Sequence, residues 1–81
     1  MQVMVRVNGV LAQKLGLSRL TVTLPAQATV QDLQINLQSQ HPHLSPEIQR
    51  TVAVIGGNHC PVTAVLQDSQ EIALLLPVAG G

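Results

Sequence analysis

Few residues in this chain could do chemistry, and most are quickly set aside. Ser18, Ser39, Ser45 and Ser69 offer hydroxyl nucleophiles. None stands in the Gly-x-Ser-x-Gly turn that raises a serine toward a base. Cys60 follows His59, but neighbours on a strand point to opposite faces and cannot act as a pair. Cys60 reads instead as a small apolar side chain for the core. His41, His43, His59 and Cys60 are all zinc donors by type. Their spacing matches no familiar zinc site, and His41 and His43 fall at a helix end, where histidine complements the dipole. No metal is expected. Gly56-Gly57 lacks the following Lys-Ser/Thr of a phosphate-binding loop and reads as a turn. Asp68 and Glu71 flank a turn, where Asp is ordinary turn chemistry.

What remains is the ending, Pro77-Val78-Ala79-Gly80-Gly81. The reactive group there would be the α-carboxylate of Gly81, with an ordinary pKa of about 3.3–3.7. A carboxylate is a poor electrophile until ATP converts it to an acyl-adenylate. Another enzyme would have to take the terminus into a narrow channel. Glycine suits that task, because no Cβ blocks the channel and any φ/ψ is open. Extended, Pro77 to Gly81 reaches at most about 17–18 Å. Pro77 stiffens the base of the tail and limits the entropy lost on threading.

The composition narrows the setting. With 81 residues there is room for one domain. Hydrophobic residues make up 46% and mean hydropathy is +0.31, which favours folding over disorder. No apolar run approaches the ~20 residues that span a bilayer. The start, MQVMVRV, lacks the pattern of a signal peptide. With a single cysteine, this leads us to expect a cytoplasmic protein. Net charge is zero, the four basic residues are spread out, and Phe, Tyr and Trp are absent. That composition argues against nucleic-acid binding, which needs basic stripes and stacking platforms.

The elements that would position the tail follow from periodicity. Residues 3–8 alternate, with Val3, Val5 and Val7 on one face and Met4 and Arg6 on the other. Residues 9–17 read as a loop with one helical turn, closed by Gly16. Residues 20–25 form a second strand ended by Pro25. The main helix occupies 28–42, with Thr29 as N-cap and Asp32 completing a capping box. Its apolar stripe is Val30, Leu33 and Leu37, and Gln31, Gln34, Gln38 and Gln40 fill the wet side. Residues 45–49 make a short helical turn. Residues 51–55 are a strand apolar on both faces, 60–66 an irregular or edge segment, and 71–76 the last strand. This order gives an α+β fold: a mixed sheet of about five strands with one main helix on one face. The smallest layout that fits is a β-grasp (ubiquitin-like) domain over residues 1–76, with an extended tail at 77–81.

The last strand sets the tail's surroundings. If Ile72, Leu74 and Leu76 face the helix, Ala73 and Leu75 face away. Met4 shares that uncovered face. An apolar patch at the root of the tail is expected to bind a partner.

These features resemble the small, sulfur-carrying subunit of molybdopterin synthase. The similarity runs through length and element order. It is specific in Asp68-Ser69-Gln70-Glu71-Ile72-Ala73, in Pro77-Val78-Ala79-Gly80-Gly81 and in the helix start Val30-Gln31-Asp32-Leu33. Ser69 and Gln70 stand where that family commonly has Gly and Asp, Leu74 and Leu75 where phenylalanine is usual, and Leu76 where a first proline is usual. The resemblance implies that a ubiquitin-activating-type adenylyltransferase charges Gly81 using Mg-ATP. A sulfur donor then converts the adenylate to a thiocarboxylate. The carrier inserts its tail into the large synthase subunit, as a heterotetramer of two small and two large subunits, and gives sulfur to cyclic pyranopterin monophosphate. The chain would hold no permanent cofactor, and most of the catalysis would belong to its partners. The sulfur carrier of thiamine synthesis, a ubiquitin-like modifier joined to lysines, and a plain interaction module are the alternatives.

Overall fold

The computed structural model describes residues 1–77. Val78, Ala79, Gly80 and Gly81 lie outside the described residues. The elements are β1 (Gln2–Val7), α1 (Gly9–Leu15), β2 (Arg19–Thr23), α2 (Val30–Gln40), a 3₁₀ turn (Pro42–Leu44), α3 (Ser45–Gln49), β3 (Val52–Ile55), β4 (Asn58–Cys60) and β5 (Glu71–Leu75). The five strands form one mixed sheet in the order β2-β1-β5-β3-β4. β1 runs antiparallel to β2 and parallel to β5, and β3 runs antiparallel to both β5 and β4.

Alternation sorts the strands into two faces. Val3, Val5, Val7, Val22, Ala53, Ile72 and Leu74 are buried on one face. They join Leu11 of α1, Val30, Leu33 and Leu37 of α2, and Ile48 of α3 in a single core. The three helices thus share one side of the sheet, and among the described residues no helix covers the other.

Several elements differ from the sequence expectation. Residues 9–15 form two turns of helix rather than one, because Leu11, Ala12 and Leu15 present an apolar stripe at i, i+1 and i+4 to the core. Gly16 ends that helix in the left-handed region at φ 79°, and its N–H donates to the Ala12 carbonyl at 2.9 Å. The edge strand expected within 60–66 is instead Asn58–Cys60, at the opposite edge from β2, and Pro61, which has no N–H to offer the ladder, follows it directly. Leu76 lies beyond the end of β5 and is half-buried, not a member of the core.

Gln34 is the largest departure. It is buried on α2, not on its wet side. Its Nε2 donates to the Thr51 carbonyl and to Thr51 Oγ1, both at 3.1 Å. Thr51 Oγ1 in turn donates to the Ile48 carbonyl at 2.6 Å. This chain ties α2 to the junction of α3 and β3. Thr29 accepts from the Asp32 N–H and the Asp32 carboxylate accepts from the Thr29 N–H, so the expected capping box is present.

Substituting Gln34→Leu keeps the side chain's bulk but leaves the buried Thr51 groups without their donor. Urea unfolding should show a loss of about 1–3 kcal/mol, the cost of an unsatisfied buried polar group. A second expectation concerns acid. Lys14 Nζ donates to Glu47 Oε2 at 2.8 Å and links α1 to α3. That hydrogen bond, reinforced by one from the Glu47 backbone, holds the Glu47 carboxyl below its ordinary value of 4.5. A lowered folded-state value stabilises the fold above the unfolded-state value and loses that contribution as pH falls through the folded one. Lys14→Gln should therefore lower Tm at pH 7, and the difference from the unsubstituted chain should vanish in strong acid.

Candidate functional site

The candidate site is built on β5, which carries the chain toward Gly80-Gly81 from the middle of the sheet. Ile72 and Leu74 are 0% and 1% exposed and clamp the strand to the core. Between them Ala73 projects to the open face, and Leu75 projects there at the strand's end; both are half-buried. Val54 stands opposite Ala73, and Val52 opposite Leu75. Paired residues share a face, so Ala73, Leu75, Val52 and Val54 form one aliphatic strip. Pro77 follows, exposed and outside regular structure. A shallow hollow of about 590 Å³ lies over this strip, lined among others by Arg6, Asn8, Ala73 and Leu75.

Met4 shares the open face and is 48% exposed, but it does not join the strip. Its partner across β1–β5 is Glu71, four residues before Leu75. At about 3.3 Å per residue the two positions lie roughly 13 Å apart along the strands. Between them Arg6 Nη1 meets Glu71 Oε1 at 3.5 Å. The structure thus brings Ala73 and Leu75 together and sets Met4 apart. Val52 and Val54 were not singled out in the sequence. Their signal was there in the strand that is apolar on both faces: its outer residues had to cover something beside β5.

The other candidate groups are accounted for locally. Asp68 Oδ1 accepts from the Gln2 N–H at 2.9 Å, and Glu71 pairs with Arg6. His59 pairs with Val54 on the open face, while Cys60 pairs with Ala53 toward the core. The His41 and His43 rings meet edge to face at 6.4 Å. Among the described residues no group of three or more His, Cys, Asp or Glu could hold a metal ion. No helix among them is long and apolar enough to cross a membrane.

The model of the ThiS family matches residues 5–81, from β1 through the two final glycines. The chain belongs to the ThiS family. It is therefore a member of a family of ubiquitin-like sulfur carriers. No curated protein matches it. Solved structures do. Small archaeal modifier protein 1 (SAMP1) from Haloferax volcanii is 23% identical, with TM-score 0.82 over 100% of both chains. A putative molybdopterin converting factor, subunit 1, from Pyrococcus furiosus is 20% identical, with TM-score 0.84 over 96% of this chain and 99% of that one. The SAMP1 of Methanosarcina acetivorans is 24% identical, with TM-score 0.81 over 99% and 96%. At these identities the likeness establishes the fold, which is the β-grasp of ubiquitin-like proteins. Within this ThiS-family chain, the strand that leads to the tail is the central one of the sheet, paired on both edges.

The two faces of β5 give opposite expectations for neighbouring leucines. Leu74→Asp places a carboxylate in the core without a partner, and the domain should fail to fold. Leu75→Asp should lower Tm much less. If a partner covers the strip, it should also weaken partner binding about tenfold, since ~1.4 kcal/mol is one decade and a fully buried leucine contributes ~1.5–3 kcal/mol. Thermal melts of both variants check the first pair of outcomes, and calorimetric titration checks the last.

Proposed function

We propose that the chain is a sulfur carrier whose terminal glycine becomes a thiocarboxylate, and that it donates the sulfur to cyclic pyranopterin monophosphate as the small subunit of a molybdopterin synthase. The observation that carries this reading is the ThiS-family match over residues 5–81, which takes in Gly80-Gly81. The Pro-Val-x-Gly-Gly ending supports the molybdopterin branch. The reading requires Gly81 to bear the chain's free carboxylate.

The chemistry is divided between the tail and a partner. In the adenylyltransferase the Gly81 carboxylate attacks the α-phosphorus of Mg-ATP, and pyrophosphate leaves. A sulfur nucleophile at the sulfide level then attacks the acyl carbon. The C–S bond forms, the C–O bond to phosphate breaks, and AMP leaves. Mg-ATP is a substrate of the activating enzyme, and nothing in this reading asks the chain to hold a cofactor. The chain's own part is presentation. Glycine at the last two positions removes side chains from the channel, and Pro77 limits the freedom lost on entry. The aliphatic strip at Leu75 and Val52 offers apolar area to offset the roughly 1–2 kcal/mol that ordering each tail residue costs.

A second reading is favoured by one observation: SAMP1 of Haloferax volcanii matches the chain end to end. In that case a lysine ε-amine, rather than sulfide, would displace AMP and leave an isopeptide bond. A single experiment separates the readings. The chain is incubated with its adenylating enzyme, ATP and a sulfur source, and its intact mass is measured. The expected outcome is exchange of one oxygen for one sulfur, lost when Gly81 is deleted or extended by a tag. Cys60→Ser should leave the exchange intact. Conjugates to lysine in place of the exchange would decide for the modifier. An exchange that survives the tag would overturn both.

A further inference from the structure

The open face carries a feature that tail presentation does not require. Arg6 of β1 and Arg19 of β2 are direct cross-strand partners, so their side chains leave the sheet from neighbouring positions on that face. Like charges in this position are destabilising. Arg6 has a counter-ion in Glu71 at 3.5 Å. Among the described residues Arg19 has none within ion-pair distance and makes no hydrogen bond through its side chain. Both arginines line a second hollow, of about 370 Å³, together with Met4, Thr21 and Glu71. Across the sheet, the same row of pairings runs from Arg19 through Arg6 and Ala73 to Val54. The unpaired charge is therefore continuous with the aliphatic strip at the tail's root.

We propose that this hollow receives an acidic side chain of the protein that takes up the tail, with Arg19 as its main contact and Arg6 as its second. The inference rests on the reading that a partner enzyme grips this chain while it works on Gly81. A planar guanidinium pairs a carboxylate through two parallel hydrogen bonds, and arginine is enriched where proteins meet. The mixture of one exposed cation with a neighbouring apolar strip is that of a protein interface. A phosphate polymer would ask for a basic stripe and stacking rings, and this chain has net charge zero and no Phe, Tyr or Trp. The occupant is thus a folded protein surface bearing Asp or Glu, seated so that its apolar part meets Ala73, Leu75, Val52 and Val54.

The test uses the full chain and the adenylating enzyme encoded in the same genome, titrated calorimetrically without ATP. Arg19→Glu should raise Kd roughly tenfold or more, as expected for reversing one charge of a desolvated pair. Arg19→Gln should raise it less. The unsubstituted chain should lose affinity with added salt more steeply than Arg19→Glu does. The Tm of Arg19→Glu should stay level or rise, because the new carboxylate faces Arg6; a merely structural role for Arg19 would lower it. Unchanged affinity in Arg19→Glu overturns the docking proposal even if Gly81 is still adenylated. Binding with the expected Arg19 dependence but no adenylation upholds the docking and overturns the functional reading. No binding by the unsubstituted chain, or Arg19-dependent binding to a single-stranded oligonucleotide instead, overturns the proposal.

Discussion

The pairing of β5 with β1 on one side and β3 on the other is the constraint from which the other features follow. It joins the chain's first strand to its last in parallel, with Val5 beside Ile72 and Val7 beside Leu74. All four side chains are buried against the helices. Parallel neighbours need a crossover between them, and here the crossover includes α2, whose stripe of Val30, Leu33 and Leu37 covers the inner face. Fully burying Ile72 and Leu74 contributes about 1.5–3 kcal/mol each. The segment that leads into the tail is thus held on both edges and on one face. The chain is therefore held to a fixed path up to Leu75, the last residue of β5.

The same constraint explains why part of the structure was legible beforehand. Strict alternation in β1 and β5 dictates which residues face in, and a shift of one would expose every valine of β1. The Thr29–Asp32 box marks the start of α2 because its two side chains answer two backbone N–H groups within one turn. Gln34 was misplaced because residue type outweighed geometry. It follows Val30 by four positions, which puts it on the stripe, and only the buried Thr51 groups make glutamine tolerable there. The two-turn α1 was hidden by its flanking glycines, Gly9 and Gly16, which suggest a loop until Leu11 has a core to enter. The turn before β5 shows a further tertiary override. Ser69 adopts φ 65°, a conformation that favours glycine. One bond holds it from outside the turn, the Ser69 N–H donating to the Gln2 carbonyl at 2.6 Å, and another closes the turn from within, Gln70 Oε1 accepting from the Gln67 N–H at 2.9 Å.

The candidate site was legible in outline and not in composition. Periodicity placed Ala73, Leu75 and Met4 on one face, but no period along a single strand tells which strand lies next to it. Only the sheet order shows that Val52 and Val54 flank the tail's root and that the Arg6–Glu71 pair separates Met4 from it. Strand neighbours far apart in sequence are the step at which one-dimensional patterns lose their hold.

The absence of aromatic side chains bears on how such a face can select a partner. A Phe, Tyr or Trp buries about 150–250 Å² and supplies much of the energy of many interfaces. Ala73, Leu75, Val52 and Val54 offer less area, and their half-burial means that part of it is already spent on one another. An aliphatic strip of this kind is also undiscriminating, since any apolar surface of similar shape would fit it. Discrimination then falls to directional groups, and on the described part of the open face the charged ones on β1, β2 and β5 are Arg6, Arg19 and Glu71. Because the whole chain has no net charge, a distant partner meets little long-range attraction, and these charges act chiefly at contact, within about a Debye length of 8–10 Å. A β-grasp domain hosts unlike functions on one scaffold. In this chain the scaffold fixes the path of the last strand, and under the proposed reading a few side chains on the open face are left to select the partner.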